Sequence, residues 1–365
     1  MLRRAGLGSK GVYVIAEAGV NHNGSLDLAL QLVDVAAEAG ADAVKFQTFR
    51  AQDLATVRAP KADYQVRSTG SQESQLQMLK KLQISPTDHR ALIARCRRKG
   101  LDFLSSPFDA RSLSLLVDAF SLPVLKIPSG EITNAPLLLR AAQSGRRVIL
   151  STGMSTLADI EAALGVLAFG MSGSSLRPSG ANFAEAYRSP LGQKRLREKV
   201  VLLHCVTDYP TRVEDVNLRA MDTLRTAFDL PVGLSDHSLG IAIPIAAAAR
   251  GARVIEKHIT LDRNLPGPDH RASLEPTELK AMVAAIRQVE RALGTGLKLP
   301  TAEELRNVKT ARKSIVAARD IARGERYSIR NLTAKRAGSG RSPLEFWELL
   351  GRRAPRRFRK DEPVE

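Results

Sequence analysis

The sequence predicts a (β/α)8 barrel, the TIM-barrel class of α/β fold, followed by a small C-terminal domain. Three observations predict it. Short β-branched runs alternate eight times with amphipathic stretches over about 290 residues. Polar residues collect at the C-terminal ends of those runs while their middles stay apolar. No GxGxxG follows the first run, which argues against a doubly wound dinucleotide-binding sheet.

In order, the runs are VYVIAEAG, DAVKFQT, LDFLSSPF, PVLKIPSGE, RVILSTGM, KVVLLHCV, PVGLSDHS and ARVIEKHIT. Between them, stretches such as SLDLALQLVDVAAEAG, SPTDHRALIARCRRKG and LGIAIPIAAAARG place apolar residues at helical spacing and close on a glycine, the residue that ends helices most readily. Two segments are too long to be simple connections: 48–85, after the second strand, and 170–199, before the sixth. The first follows a strand and is expected at the face where barrels keep their chemistry. The second follows a helix and is expected at the opposite face, away from it. The barrel is expected over 1–293, a linker over 294–312 and the small domain over 313–365. At about 50 residues that domain is marginal alone and should pack on the barrel or on another subunit.

Composition narrows the function. The 365 residues, 44% hydrophobic, suffice for a large core, and no apolar run is long enough to cross a membrane, so a soluble, cytoplasmic protein is expected. Cys96 and Cys205 have neither metal spacing nor a disulfide pattern and read as reduced, structural thiols. The formal charge of +17 is spread along the chain, and its densest cluster, GRRAPRRFRK near the C-terminus, has no aromatic interleaving of the kind nucleic-acid surfaces use. A solvated basic face that concentrates small anions fits better, pointing to phosphates or carboxylates as ligands.

The strand ends carry the candidate chemistry. Glu17 ends the first, Lys45 and Gln47 the second, Ser106 the third, Lys126, Ser129 and Glu131 the fourth. The sixth gives Thr207 and Tyr209, the seventh Ser235 and His237, the eighth Glu256 and His258. Five of the six histidines fall at this rim; only His89 sits in a helix. His237 and His258 end adjacent strands, where two imidazoles could share one divalent metal and leave positions open for catalysis; each could instead bond a loop carbonyl. With few nitrogen donors, Mn²⁺ or Mg²⁺ suits such a site better than structural zinc. Lys45 and Lys126 could hold a phosphate and a carboxylate together, or pair with Glu17 and Glu131, and a Schiff-base lysine is the weaker choice.

The segments IAEAGVNHNGSLDLALQLVDVAAEAGADAVKFQTF, FLSSPFD, LKIPSGEITN, ILSTGM, LLHCVTDYPT, GLSDHSLGI, VIEKHITLDRNLPGPDH and NLTAKRAGSG closely resemble the bacterial sialic acid synthase family over about residues 11–350. The resemblance implies a barrel with a C-terminal antifreeze-like (SAF) domain. It also implies condensation of phosphoenolpyruvate, an N-acetylmannosamine-type sugar and water into N-acetylneuraminate and phosphate. By motif it implies a metal on His237 and His258, and phosphoenolpyruvate on Lys45, Ser106, Lys126, Ser129 and Ser235. Sugar contacts fall on Gln47, Glu131, Tyr209 and Asp269, with Thr207 at the same anion-binding mouth. Glu17 or Glu131 would manage the protons of the attacking water. Arg336 of AKRAGSG would reach the sugar of the neighbouring subunit, so a domain-swapped homodimer is implied. Three positions depart from the usual pattern: Thr207, where some members have asparagine, Ser106, where threonine is common, and Ala337, where proline is usual. A relative acting on a 2,4-diacetamido-trideoxy sugar, as in legionaminic or pseudaminic acid synthesis, is the alternative. A non-enzymatic sugar-binding or nucleic-acid-binding protein on the same scaffold is the rival class.

Overall fold

The computed structural model describes residues 11–70 and 72–365. The chain forms two compact units, one ending at Gly294 and the other beginning at Thr295.

In the first unit, eight parallel strands surround an apolar interior: β1 (Tyr13–Gly19), β2 (Ala43–Thr48), β3 (Asp102–Pro107), β4 (Val124–Ile127), β5 (Arg147–Ser151), β6 (Val200–Cys205), β7 (Val232–Asp236) and β8 (Val254–His258). The ladder runs in the order β3, β2, β1, β8, β7, β6, β5, β4. Between β3 and β4 no hydrogen-bonded ladder forms, so the expected closed barrel is nearly closed. Pro107, Pro123 and Pro128 flank or end these two strands and remove backbone donors there.

The period of two along each strand sorts the side chains. Ile15, Ala43, Leu104, Ile149, Leu203 and Val254 form the inner plug. Their neighbours Val14, Val44, Val148, Leu202, Leu234 and Ile255 face the helical layer. The helix Leu26–Glu38 answers with Ala29, Leu32, Val33 and Ala36 on one stripe, capped at its start by Ser25, whose hydroxyl accepts from the Leu28 amide. The helix Pro86–Lys99 begins at the Ser85 capping box and stops at Gly100, which takes the left-handed conformation with φ 70°. Gly233 of β7 allows a close approach of β8: a Cβ there would lie 2.3 Å from the Val254 carbonyl oxygen.

The segment after β2 holds the short helices Ala51–Leu54, Asp63–Thr69 and Gln75–Leu82. Their apolar residues form a small cluster of their own, with Phe49, Met78, Leu79 and Leu82 packed around Val20 at the barrel mouth. The 170–199 segment departs from expectation. It forms the helices Gly180–Arg188 and Pro190–Lys199, and the first packs along the flank of the helix Leu157–Met171 instead of lying under the barrel. Gly165 lets the Phe183 backbone approach, and Phe183 meets Phe169 edge-on at 5.2 Å. Burial of this apolar seam holds the insertion to the outer wall.

The second unit opens with a helix, Ala302–Ala311, inside the stretch expected to be a plain linker. Its capping box, Thr301 with Glu304, was present in the sequence, but none of its residues is buried, so no apolar stripe announced it. Beyond it β9 (Ser314–Ala317) and β10 (Leu332–Lys335) pair antiparallel. Ile315, Ile321, Leu332, Leu349, Phe358 and Val364 close a separate core.

Candidate active site at the barrel mouth

Continuing inward by twos past the plug brings Glu17, Lys45, Ser106, Lys126, Ser235 and Glu256 to a single polar layer above it, all buried. The ammonium of Lys45 lies 2.8 Å from Glu17 Oε1 and 3.7 Å from Glu256 Oε2, and donates to the Ser106 hydroxyl at 3.2 Å. Lys126 Nζ donates to Glu256 Oε1 at 3.0 Å, and the same oxygen accepts from the Ser235 hydroxyl at 2.8 Å. The lysines therefore pair with Glu17 and Glu256, correcting the sequence alternative in which Glu131 was the second partner. Glu131 sits in the short helix after β4, half-buried, accepting from the Asn134 side chain at 2.7 Å.

These groups set one another's charge. Burial pushes the Glu17 carboxyl up, Lys45 pulls it down and Glu256 pushes it up again; it ends above its ordinary value. Burial would raise Glu256 too, but Lys126 and Lys45 together hold it far below the usual carboxylate range. Burial works to lower the Lys45 ammonium, and Glu17 and Glu256 more than offset that, so it is raised. The layer thus holds two ammonium groups, one firmly ionised carboxylate and one carboxyl poised to take a proton.

Above this layer stand the histidines. His237 and His258 have ring centroids 5.3 Å apart. The Nδ1 of His237 bonds the Val206 carbonyl at 2.7 Å, which fixes that ring's orientation. Among the described residues His258 Nδ1 has no hydrogen-bond partner, and it lies 3.9 Å from the Asp269 carboxylate. Burial and the neighbouring His237 push His258 well below its ordinary value, leaving a neutral imidazole, and burial pushes Asp269 up to about 7. Tyr209 lies tilted against His237 with ring centroids 4.1 Å apart and stacks on Tyr64 at 4.8 Å. Among the described residues no three His, Cys, Asp or Glu side chains form a closed metal cage. Two imidazoles, one of them with an unpaired buried nitrogen, fit an open cation site completed by water or ligand.

Together they line a cavity of about 330 Å³, within the range of small-molecule sites. Gln47, Ser129, Glu131, Thr207, Tyr209 and Asp269 also face it. Gln47 donates to Glu17 at 3.4 Å, and the Ser129 hydroxyl accepts from the Gly153 amide at 2.9 Å. Glu17 Oε2, Glu256 Oε2 and Asp269 Oδ1 are buried without hydrogen-bond partners among the described residues, the mark of a cavity shaped for a polar ligand. Arg336 is exposed at the end of β10 in the second unit. A larger cleft, about 480 Å³, opens between the helices Ala135–Gln143, Leu157–Met171 and Gly180–Arg188, but no buried charge converges there, so the barrel mouth is the site.

Sequence reasoning gave no site role to three members, although it placed Glu256 at the end of the eighth strand. Glu256 is reached by counting back two from His258, and Cys205 by counting on two from Leu203. Cys205 faces the cavity with its sulfur 3.9 Å from His237 Nδ1, so it is not the purely structural thiol expected. Tyr64 lies in the insertion, where no periodicity marks it. His204, expected at the rim, turns outward and bonds the Val216 carbonyl at 2.7 Å.

Fold and site together define a nearly closed (β/α)8 barrel with a buried, charged pocket at its strand C-termini. The chain belongs to the NeuB family, whose profile matches residues 32–298, and residues 312–365 match the SAF domain. It is 46% identical to the N,N'-diacetyllegionaminic acid synthase of Campylobacter jejuni, over 97% of this chain and 99% of that protein. It is 43% identical to the enzyme of the same name from Legionella pneumophila, over 93% and 90%. Among solved structures it resembles an N-acetylneuraminic acid synthetase of Leptospira borgpetersenii in complex with citrate, at 35% identity and TM-score 0.65, covering 82% of this chain and 90% of that one. Among the described residues no helix is long and apolar enough to cross a membrane.

Proposed function

We propose that the protein is a phosphoenolpyruvate-dependent nonulosonic acid synthase whose acceptor is a 2,4-diacetamido-trideoxy sugar. The observation that carries the reaction class is the pair of buried ammonium groups, Lys45 and Lys126, set in hydroxyls beneath an open mouth. Phosphoenolpyruvate brings a phosphate and a carboxylate on one small frame, and two fixed cations meet both. Its methylene carbon attacks the aldehyde carbon of the sugar to form the new C–C bond. Water adds at the carbon bearing the phosphate, and cleavage of the C–O bond releases phosphate and leaves a 2-keto acid.

Glu17 is the proton-handling group of this reading. It is already raised, and an anion bound beside it raises it further, so it takes a proton as water adds. Glu256 stays ionised and holds both lysines in place. His237 and His258 would hold a divalent cation, Mn²⁺ or Mg²⁺, which when bound supplies positive charge for the alkoxide that develops on the sugar oxygen. The SAF domain of one chain is read as serving the barrel of a partner in a domain-swapped homodimer.

Two features support the acceptor. The relatives with 46% and 43% identity carry the name diacetyllegionaminic acid synthase. The insertion contributes an apolar patch to the cavity wall, Leu54, Met78, Leu79 and Leu82 beside Val20 and Phe108, next to the polar Tyr64, Gln65 and Gln75. Deoxy carbons rest on such a wall without stranding a hydroxyl, which a buried apolar site disfavours. N-acetylmannosamine is the second reading, supported by the 35% identical Leptospira synthetase. Phosphate release from phosphoenolpyruvate, measured with Mn²⁺ or Mg²⁺ and a panel of acetamido sugars, decides between them: kcat/KM should be highest for the 2,4-diacetamido-trideoxy acceptor. A higher value for N-acetylmannosamine would select the second reading, and no release with any acceptor would reject the synthase altogether.

A further inference from the structure

The last rungs of the β7–β8 ladder pair Ser235 with Glu256 and Asp236 with Lys257, and the next residues along are His237 and His258. Faces alternate: Ser235 and Glu256 point into the barrel, Asp236 and Lys257 out of it, the two histidines in again. The outward layer of a barrel is ordinarily apolar, as the preceding outward pair Leu234 and Ile255 is. Lys257 is nevertheless charged and wholly buried there, at 0% exposure.

Its bonds wrap one residue. Lys257 Nζ donates to Asp236 Oδ2 at 2.6 Å and to the Ser238 carbonyl. The other Asp236 oxygen accepts from the Ser238 amide at 3.0 Å and from its hydroxyl at 2.7 Å. His237 is therefore held on both sides, through residues 236 and 238, by the side chain of the residue that precedes His258. The His237 carbonyl is tied in turn to the Thr211 amide at 3.0 Å.

We propose that the buried Asp236–Lys257 ion pair is a positioning latch that fixes the His237 and His258 imidazoles relative to each other from behind the strands. Neither residue touches the cavity. A buried pair is a poor device for stability alone, because apolar residues of similar volume fill such a place as well or better. Its specific product is geometry: it couples the two strand ends at the rung next to the imidazoles. The consequence for a cation rests on the reading that these histidines hold one; the consequence for ring orientation does not.

The test compares wild type, Lys257→Met and the double variant Asp236→Leu/Lys257→Met. Lys257→Met alone strands a buried carboxylate and should melt lower. The double variant replaces both charges by apolar groups and should recover most of the melting temperature. If the pair serves stability only, site properties recover with it. If it is a latch, the double variant stays impaired: Mn²⁺ binding followed by titration calorimetry weakens about 10- to 100-fold, the range for losing a group that orients a metal ligand. In the metal-free protein, at a pH high enough to keep the ring neutral, the His237 ring nitrogens, read by ¹⁵N NMR, then change from one fixed tautomer to an average of two. A double variant with a single tautomer and Mn²⁺ affinity within twofold of wild type overturns the latch. If wild-type protein binds no Mn²⁺, the cation reading falls while the ring signals still decide: averaging supports the latch, and a retained single tautomer overturns it.

Discussion

Lys126 carries the most specific consequence at the scale of single residues. Its ammonium shares one Glu256 oxygen with the Ser235 hydroxyl, and Glu256 reaches Lys45 only at 3.7 Å. Lys126→Met keeps much of the stem's volume but removes a buried charge. Glu256 then loses its nearer cation and its pKa rises toward the ordinary carboxylate range. Breaking a buried pair from one side costs about 3 kcal/mol, which a urea titration reads directly. In the proposed synthase the same change removes a charge-assisted contact to the anion, about 2 kcal/mol, so KM for phosphoenolpyruvate should rise roughly 30-fold. An unchanged KM for phosphoenolpyruvate with a raised KM for the sugar would show that Lys126 serves the acceptor. This residue was legible from sequence because it ends a clean strand pattern. Its partner was not, because Glu131 and Glu256 both stand near strand ends and only the inward register of β8 distinguishes them.

Among the elements, the eight strands announce themselves because burial on both faces demands continuous β-branched runs, and their polar ends follow the same count of two. The insertions do not, since they satisfy only local packing. The helix Asp63–Thr69 buries none of its residues fully, so its sequence has no apolar stripe. Its position over the mouth rests on Tyr64, which stacks on Tyr209 at 4.8 Å and so closes one side of the cavity. Likewise the 170–199 segment is peripheral as expected but lies on the flank, because chain order says which strand it precedes but not which flank its Phe183 seam will cover. For Tyr64→Ala the loss is one aromatic pair, about 1 kcal/mol, with the barrel intact. The sugar KM should rise about fivefold with KM for phosphoenolpyruvate unchanged, and Tyr64→Phe should restore it. A parallel rise in both constants would assign the helix to general closure instead of to the acceptor.

For the whole molecule the question is what the SAF domain adds to a barrel whose cavity is already lined from its strand ends. The domain has its own core, built on Ile315, Ile321, Leu332 and Phe358, with the Arg356 guanidinium 4.1 Å from the Phe358 ring, so it folds as a unit and not as a tail. Arg336 follows its second strand and is exposed, free to meet a ligand or a partner. In the proposed swapped homodimer this guanidinium reaches the sugar bound in the other chain's barrel. Arg336→Ala should then raise the sugar KM about tenfold, a loss of about 1.4 kcal/mol, without weakening phosphoenolpyruvate. Mixing supplies the sharper measurement. His237→Ala inactivates its own barrel but keeps Arg336, while Arg336→Ala keeps an intact barrel. In an exchanged heterodimer the intact barrel, carried by the Arg336→Ala chain, receives Arg336 from the His237→Ala chain, so activity at low sugar should recover to near half that of wild type. Heterodimers verified by native mass that show no recovery would mean that Arg336 serves its own barrel or none, and the swap would have to be abandoned.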